Sequence, residues 1–300
     1  MQPLHVHTPL IQSQHLKNEL DKNVYFKLES LQPSGSFKLR GIGRLCQQVC
    51  REGAQSIVAS SGGNAGVAVA YSGMKLNKPT TIFIPSSSHP LYIEAIESFG
   101  AKVIVAGSTA GDAQIAAEEF ANTQQATYIH PFDHPEIWKG HASIIEEVAS
   151  AHIRPDAVIV SVGGGGLACG VLEGMHQHGW QDVPFFAVET VGADVFYQSV
   201  NKNQPVVLSS ITSKATSLGA TYVTPKLLEW TKKHIIKNVV VTDEQAEQGS
   251  RLFAKDQRIL VELASGASLS LIYGDHAAIH DYKSILVIVC GGINTSHFNI

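Results

Sequence analysis

Lys38 lies in the stretch 34–41, SGSFKLRG, and has the surroundings of an amine that does covalent chemistry. A lysine acting as nucleophile or base must release its proton near neutral pH, which a confined, partly desolvated site achieves. Phe37 supplies apolar bulk beside it, and Ser34, Gly35 and Ser36 are small enough to let another ring system approach the backbone. Taken alone, the residue also reads as a solvated lysine near a helix start. Three further constellations, far apart in the chain, favour the chemical reading.

The first is 60–66, SSGGNAG, which follows the strand-like IVA and opens a helix-like stretch. Successive N–H groups at a helix N-terminus, unobstructed by bulky side chains, form an anion site. Ser60, Ser61 and Asn64 add donors, so a carboxylate or a phosphate fits. A tight turn alone needs one glycine, not three and an asparagine. The second is 162–167, VGGGGL, where four consecutive glycines expose a row of N–H groups that suits a phosphate. Gly163, Gly165 and Ala168 also match the dinucleotide pattern G-x-G-x-x-G/A, with Glu189 about where a ribose-binding acid belongs. By that motif alone a nicotinamide dehydrogenase stays open, but it leaves the other constellations without roles. The third is Cys290-Gly291-Gly292 at the end of the last apolar run. Ligands bind at such carboxyl ends in open α/β sheets, although in isolation a buried packing cysteine is the plainer reading.

These residues need a frame. Strand-like runs at 24–28, 56–59, 80–84, 102–105, 157–161, 185–189, 239–241 and 284–290 alternate with helix-like stretches at 36–51, 64–76, 92–98, 110–122, 141–151, 167–178, 225–232 and 243–256. That alternation predicts an α/β protein of mostly parallel twisted sheets flanked by helices. Val158-Ile159-Val160 and Leu286-Val287-Ile288-Val289 suit central strands covered on both faces. Thr242 followed by Gln245 is a capping-box pattern, and Thr224-Pro225 places a cap before a first-turn proline. Three hundred residues suggest two lobes. With no repeat and no low-complexity linker, the lobes are expected to interleave: 42–131 as a small domain, 1–41 and 132–300 as a large one, with 131–135 as the return crossing.

A charged fraction of 16% and a net charge of -4, with signs interspersed, describe a globular chain without a nucleic-acid stripe or a polybasic membrane arm. The apolar run 157–172 is broken by glycines and too short to span a bilayer. The N-terminus lacks a signal-peptide pattern, so a cytoplasmic location is expected. Four cysteines at irregular spacing make no disulfide framework, and Cys46 and Cys50 read as packing residues. Of the fourteen histidines, His5 and His7 read as a strand edge. His276 and His280 are four apart on a helix-like stretch but lack an H-E-x-x-H pattern.

In order along the chain, QPSGSFKLRGIG, SSGGNAG, PFDHPEIWKGHAS, SVGGGGLACG, VPFFAVET, ITSKATSLGA, LVELASGASL and VIVCGGIN resemble the fold-type II pyridoxal-phosphate enzymes. The resemblance is nearest to the animal-type L-serine dehydratase / L-threonine deaminase group and covers nearly the whole chain. It implies the tryptophan synthase β-like two-domain fold and a pyridoxal 5′-phosphate lyase that deaminates L-serine to pyruvate and ammonia, with L-threonine giving 2-oxobutyrate. It implies that Lys38 joins the cofactor covalently and then takes the substrate's α-proton, while Phe37 packs on one face of the ring. Gly163, Gly164, Gly165, Gly166 and Leu167 would hold the phosphate, and Asn64 the 3′-oxygen. Cys290 would face the pyridine nitrogen, and Ser61, Gly62, Asn64 and Ala65 the substrate carboxylate. Gly163, Glu189, Ala193, Leu218 and Ala220 match positions that bind a monovalent cation, usually potassium; a helix cap is the plainer reading of Glu189.

Departures from the pattern matter. Gly62 stands where serine racemases carry serine and some dehydratases alanine, which argues against racemisation and predicts a roomier site. Ser217 lies where some relatives place alanine against the cofactor's second face. Leu263 and Ser265 replace a proline and a cysteine, with no evident effect on the chemistry. A homodimer is the expected assembly, although the chain stops soon after Asn294 without the terminal helix on which the usual dimer contacts draw. The readings left beside a serine dehydratase are a threonine-preferring dehydratase, a serine racemase, a nicotinamide dehydrogenase and a non-catalytic amino-acid-binding relative.

Overall fold

The two continuous apolar runs, 158–160 and 286–289, become neighbouring inner strands, buried on both faces as such runs require. In the computed structural model, which describes residues 2–299, the strands are Leu10–Gln12 (β1), Asn23–Lys27 (β2), Ile57–Ala59 (β3), Thr80–Ile84 (β4), Lys102–Val105 (β5), Thr127–Tyr128 (β6), Ala157–Ser161 (β7), Phe185–Thr190 (β8), Ile236–Val241 (β9) and Ser284–Ile288 (β10). The helices are Gln14–Leu20 (α1), Lys38–Arg51 (α2), Asn64–Leu76 (α3), Pro90–Ser98 (α4), Ala110–Gln124 (α5), Pro135–Ser150 (α6), Gly166–Gln177 (α7), Val195–Asn201 (α8), Pro225–Trp230 (α9), Asp243–Gln257 (α10) and Leu263–Tyr273 (α11).

Six strands form one sheet in the order β1-β2-β10-β7-β8-β9, parallel except for β1, and four form a second, wholly parallel sheet in the order β5-β4-β3-β6. The chain starts on the larger sheet, builds the smaller one between Ile57 and Tyr128, and returns through 129–134 to α6. The α/β class and its parallel sheets are therefore as expected. Eight strands and eight helices fall where the sequence pattern put them, within a few residues at most ends. Both cap predictions hold: Thr242 and Gln245 form a reciprocal capping box, and Thr224 Oγ1 accepts from Lys226 N.

The pattern did not reveal β1, β6, α1, α8 or α11. The two strands are too short for a period to register, at three and two residues. α11 reads LASGASLSLIY, a Ser/Gly-rich string of weak helix propensity, yet most of it is buried, so packing imposes the helix. His5 and His7 lie in an irregular segment before β1, not on a strand edge. His276 and His280 bracket a single 3₁₀ turn, Ala277–Ile279, in place of the expected helix. α6 starts six residues earlier than expected, at Pro135, because His134 caps it through Glu136 N.

A buried charge network anchors the first turn of α2. The Arg40 guanidinium, without solvent exposure, donates to both oxygens of Glu29 at 2.6 and 2.8 Å and to both oxygens of Glu147 at 2.7 and 2.8 Å. Lys27 Nζ also pairs with Glu147 and donates to Thr8 O at 2.6 Å. Two cations and two anions balance, and the bidentate forks satisfy the carboxylates. Among the described residues no helix is long and apolar enough to cross a membrane.

Removing one partner of such a network leaves a buried charge uncompensated. Arg40→Met is expected to destabilise the fold by about 3–5 kcal/mol in urea unfolding. A loss under about 1 kcal/mol, the range of an exposed pair, would refute this reading of the network.

Candidate active site

Most helices of this protein begin with a side-chain cap. Ser13, His89, Thr109, His134, Thr224 and Thr242 cap α1, α4, α5, α6, α9 and α10, and the carboxylate of Glu189 accepts from Phe196 N and Tyr197 N at the start of α8. Among the described residues four helices have no side-chain cap: α2, α3, α7 and α11. Residues at the starts of all four line a single cavity. Uncapped N–H groups and the positive ends of four helix dipoles meet there, an arrangement that draws anions and resists added positive charge.

Lys38 is the first residue of α2. The preceding loop is stitched to the end of β10: Phe37 N donates to Cys290 O at 2.9 Å, Gly292 N donates to Gly35 O at 3.0 Å, and Ser36 bridges Gly291. These bonds bring the lysine to the thiol across some 250 residues of chain. Lys38 Nζ donates to Pro131 O at 2.7 Å and stands 5.2 and 5.9 Å from the ring centroids of Phe37 and Phe132. Burial pushes its pKa down to about 8, against the opposing pull of Glu262. Burial also pushes the Cys290 thiol up to about 12, with Glu262 adding to the rise, so this group is a neutral thiol.

The tetraglycine loop opens α7 from β7. Gly165 has φ +88, and a side chain there would run into Val223, so glycine is required. A methyl on Gly164 would stand 2.6 Å from the Phe132 ring, so only bare backbone fits against that residue. Asn64, the first residue of α3, donates through Nδ2 to both oxygens of Glu262 at 2.8 and 3.1 Å, while its buried Oδ1 has no partner among the described residues.

The cavity therefore gathers Phe37, Lys38, Asn64, the four glycines with Leu167, and Cys290, together with Ser217. Ser61, Gly62 and Ala65 lie beside it, on the turn into α3 and in its first residues. The room expected at Gly62 is not there. A side chain at 62 would overlap the Ser88 hydroxyl and come within 2.7 Å of Ser88 Cβ. Gly163 and Leu218 are neighbours, since a methyl on Gly163 would reach Leu218 O at 3.0 Å, and Ala220 N donates to Leu218 O at 2.8 Å. Ala193 follows Glu189 through a turn closed on Thr190 O, and the hydrogen bonds of Glu189 go to α8, not to Gly163, Leu218 or Ala220.

Glu262 escaped the sequence reading. It is 2% exposed and accepts from Asn64 Nδ2, from Tyr92 Oη at 3.3 Å and from Ser217 Oγ at 3.0 Å. Burial pushes its carboxyl up, and those donors oppose the rise. Pro131 and Phe132 also escaped notice as site residues, whereas Ser265, expected to have no evident effect on the chemistry, donates through Oγ to Gly291 O at 2.7 Å and lies 3.4 Å from Cys290 Sγ. The replacement at 265 thus falls beside the thiol. Glu262, Pro131 and Phe132 sit inside the strings quoted above, but nothing in their type or spacing singled them out. Among the described residues no three His, Cys, Asp or Glu side chains cluster as metal ligands.

Comparison with known proteins places this geometry. A family model described as "Pyridoxal-phosphate dependent enzyme" matches residues 1–291. The chain is 41% identical to an L-serine dehydratase/L-threonine deaminase of Bos taurus over 304 residues, 98% of this chain and 93% of that protein. It is also 41% identical to a serine dehydratase-like protein of Homo sapiens, over 98% of this chain and 92% of that one. A crystal structure of a fungal L-serine ammonia-lyase from Rhizomucor miehei superposes with a TM-score of 0.92 at 36% identity, covering 97% of this chain and 95% of that one.

The depressed Lys38 amine makes a direct prediction. Attack on an aldehyde needs the neutral amine, so the rate of adduct formation between cofactor-free protein and pyridoxal phosphate should climb with pH and level off above about 8, not 10.5. Glu262→Gln removes a charge that favours the ammonium, so the midpoint should move lower still. Stopped-flow absorbance across pH 6–11 reads both; a midpoint above about 10 would contradict the assignment.

Proposed function

Because this chain belongs to the pyridoxal-phosphate dependent enzymes, we propose that it is an L-serine ammonia-lyase, releasing pyruvate and ammonia by β-elimination of water, with L-threonine to 2-oxobutyrate as a second activity. The names of its relatives support this reading. The observation that carries it is the meeting of Lys38, Cys290 and the uncapped glycine start of α7 in one cavity. A nicotinamide dehydrogenase is set aside by the family, and Glu189 is engaged in capping α8.

The residues present fit pyridoxal 5′-phosphate. The N–H groups at the start of α7 have no side-chain cap, and the bare backbone of Gly163, Gly164, Gly165, Gly166 and Leu167 would hold the phosphate. Lys38 would carry the covalent link, Phe37 would pack on the ring, and Cys290 would face the ring nitrogen. The unpartnered Asn64 Oδ1 is a free acceptor that a protonated 3′-hydroxyl would satisfy. When bound, this cofactor supplies an electron sink that makes the substrate's α-C–H acidic.

The protein's own part follows from its charges. At pH 7 a pKa near 8 leaves on the order of a tenth of Lys38 neutral, against about one part in three thousand for an ordinary lysine. After Lys38 takes the α-proton, the Pro131 carbonyl, the Phe37 and Phe132 rings and the Glu262 charge stabilise the ammonium. Ser61, Gly62, Asn64 and Ala65, at the uncapped start of α3, would hold the substrate carboxylate and so orient the α-C–H bond toward Lys38. Glu262 fixes the Asn64 amide and ties α3 and α4 to α11.

Within the same reading, Gly163, Glu189, Ala193, Leu218 and Ala220 would supply oxygens to a potassium ion. The adjacency of Gly163 and Leu218, and the burial of Glu189, support it. The small lobe would span 42–131, with 1–41 and 132–300 forming the large one. The protein would act in the cytoplasm as a homodimer.

Pyridoxal-loaded protein should release pyruvate from L-serine and 2-oxobutyrate from L-threonine, faster in potassium than in a large organic cation. Lys38→Ala should fold yet lose turnover by about a thousandfold or more. Borohydride reduction followed by peptide mapping should mark Lys38. D-serine as the main product in a chiral assay, or an unlabelled Lys38, would overturn the proposal.

A further inference from the structure

The turn between β4 and α4 carries an unexplained hydroxyl. Ser88 Oγ is closed off from solvent and has no hydrogen-bond partner among the described residues. A buried hydroxyl left unpaired is unfavourable, so its place calls for a ligand or a reason. The Ser88 side chain stands against Gly62, where the side chain of residue 62 would project, with Ile84 Cβ at 3.4 Å closing the same space. The turn that delivers it is held by Ser88 N donating to Pro85 O at 3.0 Å and Ser86 N donating to Gly107 O at 3.0 Å.

Two independent observations thus meet at one point: a glycine that admits no side chain, and a foreign hydroxyl filling the gap without a partner. We infer that Ser88 is a substrate-binding residue of the carboxylate loop, supplying from the β4–α4 turn the side chain that position 62 lacks. Its bulk fixes the backbone of Gly62, and its hydroxyl donates to the carboxylate held there. This rests on the reading of Ser61, Gly62, Asn64 and Ala65 as that loop. It makes positions 62 and 88 a single unit: one side chain is allowed between them, and here the smaller sheet's turn provides it.

The test is a double-mutant cycle of Gly62→Ser, Ser88→Gly and the pair, with Ser88→Ala alongside. In cofactor-free protein, Gly62→Ser should lower the melting temperature, and adding Ser88→Gly should restore it to near wild type, since contacting residues are not additive. In loaded enzyme, Ser88→Ala should raise KM for L-serine about tenfold with kcat changed less than about threefold, the mark of a lost carboxylate contact. The pair Gly62→Ser/Ser88→Gly should bring KM back to within about threefold of wild type. Additive melting temperatures, or a Ser88→Ala KM equal to wild type, would overturn the inference. If wild type fails to act on serine, the proposed function falls, while the melting cycle still decides the packing claim.

Discussion

Four helix starts left without side-chain caps around one cavity are the constraint on which the rest of the structure depends. Elsewhere the chain caps its helices with care, including two reciprocal capping boxes. Leaving α2, α3, α7 and α11 open is unfavourable for the empty protein, at roughly 0.5–2 kcal/mol per missing cap. It is repaid when anions arrive. A phosphate at α7 and a carboxylate at α3 would satisfy N–H groups that the fold leaves bare, and Glu262 is the acid that the fold itself places among them.

The parallel topology makes such a meeting feasible. In open α/β sheets the carboxyl ends of the strands and the starts of the following helices share one edge. Here β7 delivers the glycine loop and β10 delivers Cys290 to the same edge of the larger sheet, while β3 delivers Asn64 from the smaller one. Lys38 is placed differently, by backbone bonds between its loop and the residues just after β10. The Arg40 network then holds the first turn of α2 from beneath, two residues beyond the lysine. A buried polar network of this kind stabilises little over an apolar core, but it penalises any other setting of the turn.

Much of this was readable in the sequence, and what was not has physical causes. Glycine runs and β-branched runs report a local constraint, so the 162–167 loop, the turn at 60–66 and the inner strands stood out. Glu262 reports nothing locally. It reads as an ordinary acid ahead of a Ser/Gly-rich string, and its donors Asn64, Tyr92 and Ser217 lie 198, 170 and 45 residues away. Ser88 is equally silent, because its meaning comes from Gly62, beyond the end of the neighbouring strand. α11 was hidden for a related reason: a helix buried on nearly all sides carries no amphipathic stripe to detect. Even Gly62, noticed at once, was misjudged as open space, since sequence shows which side chain is missing but not what fills the gap.

The balance at Lys38 explains why these parts must act together. As nucleophile and base the amine has to be neutral, and as the acceptor of a proton it has to be stable when charged. Burial and the positive start of α2 push toward the neutral form. The Pro131 carbonyl, the faces of Phe37 and Phe132 and the charge of Glu262 push back. A thiol at 290, neutral because burial raises it to about 12, adds little charge to either side. An ionised carboxylate there would pull the lysine toward permanent protonation. The pKa near 8 is the setting at which both demands are met near neutral pH, and it depends on Cys290 staying a thiol and Glu262 staying ionised.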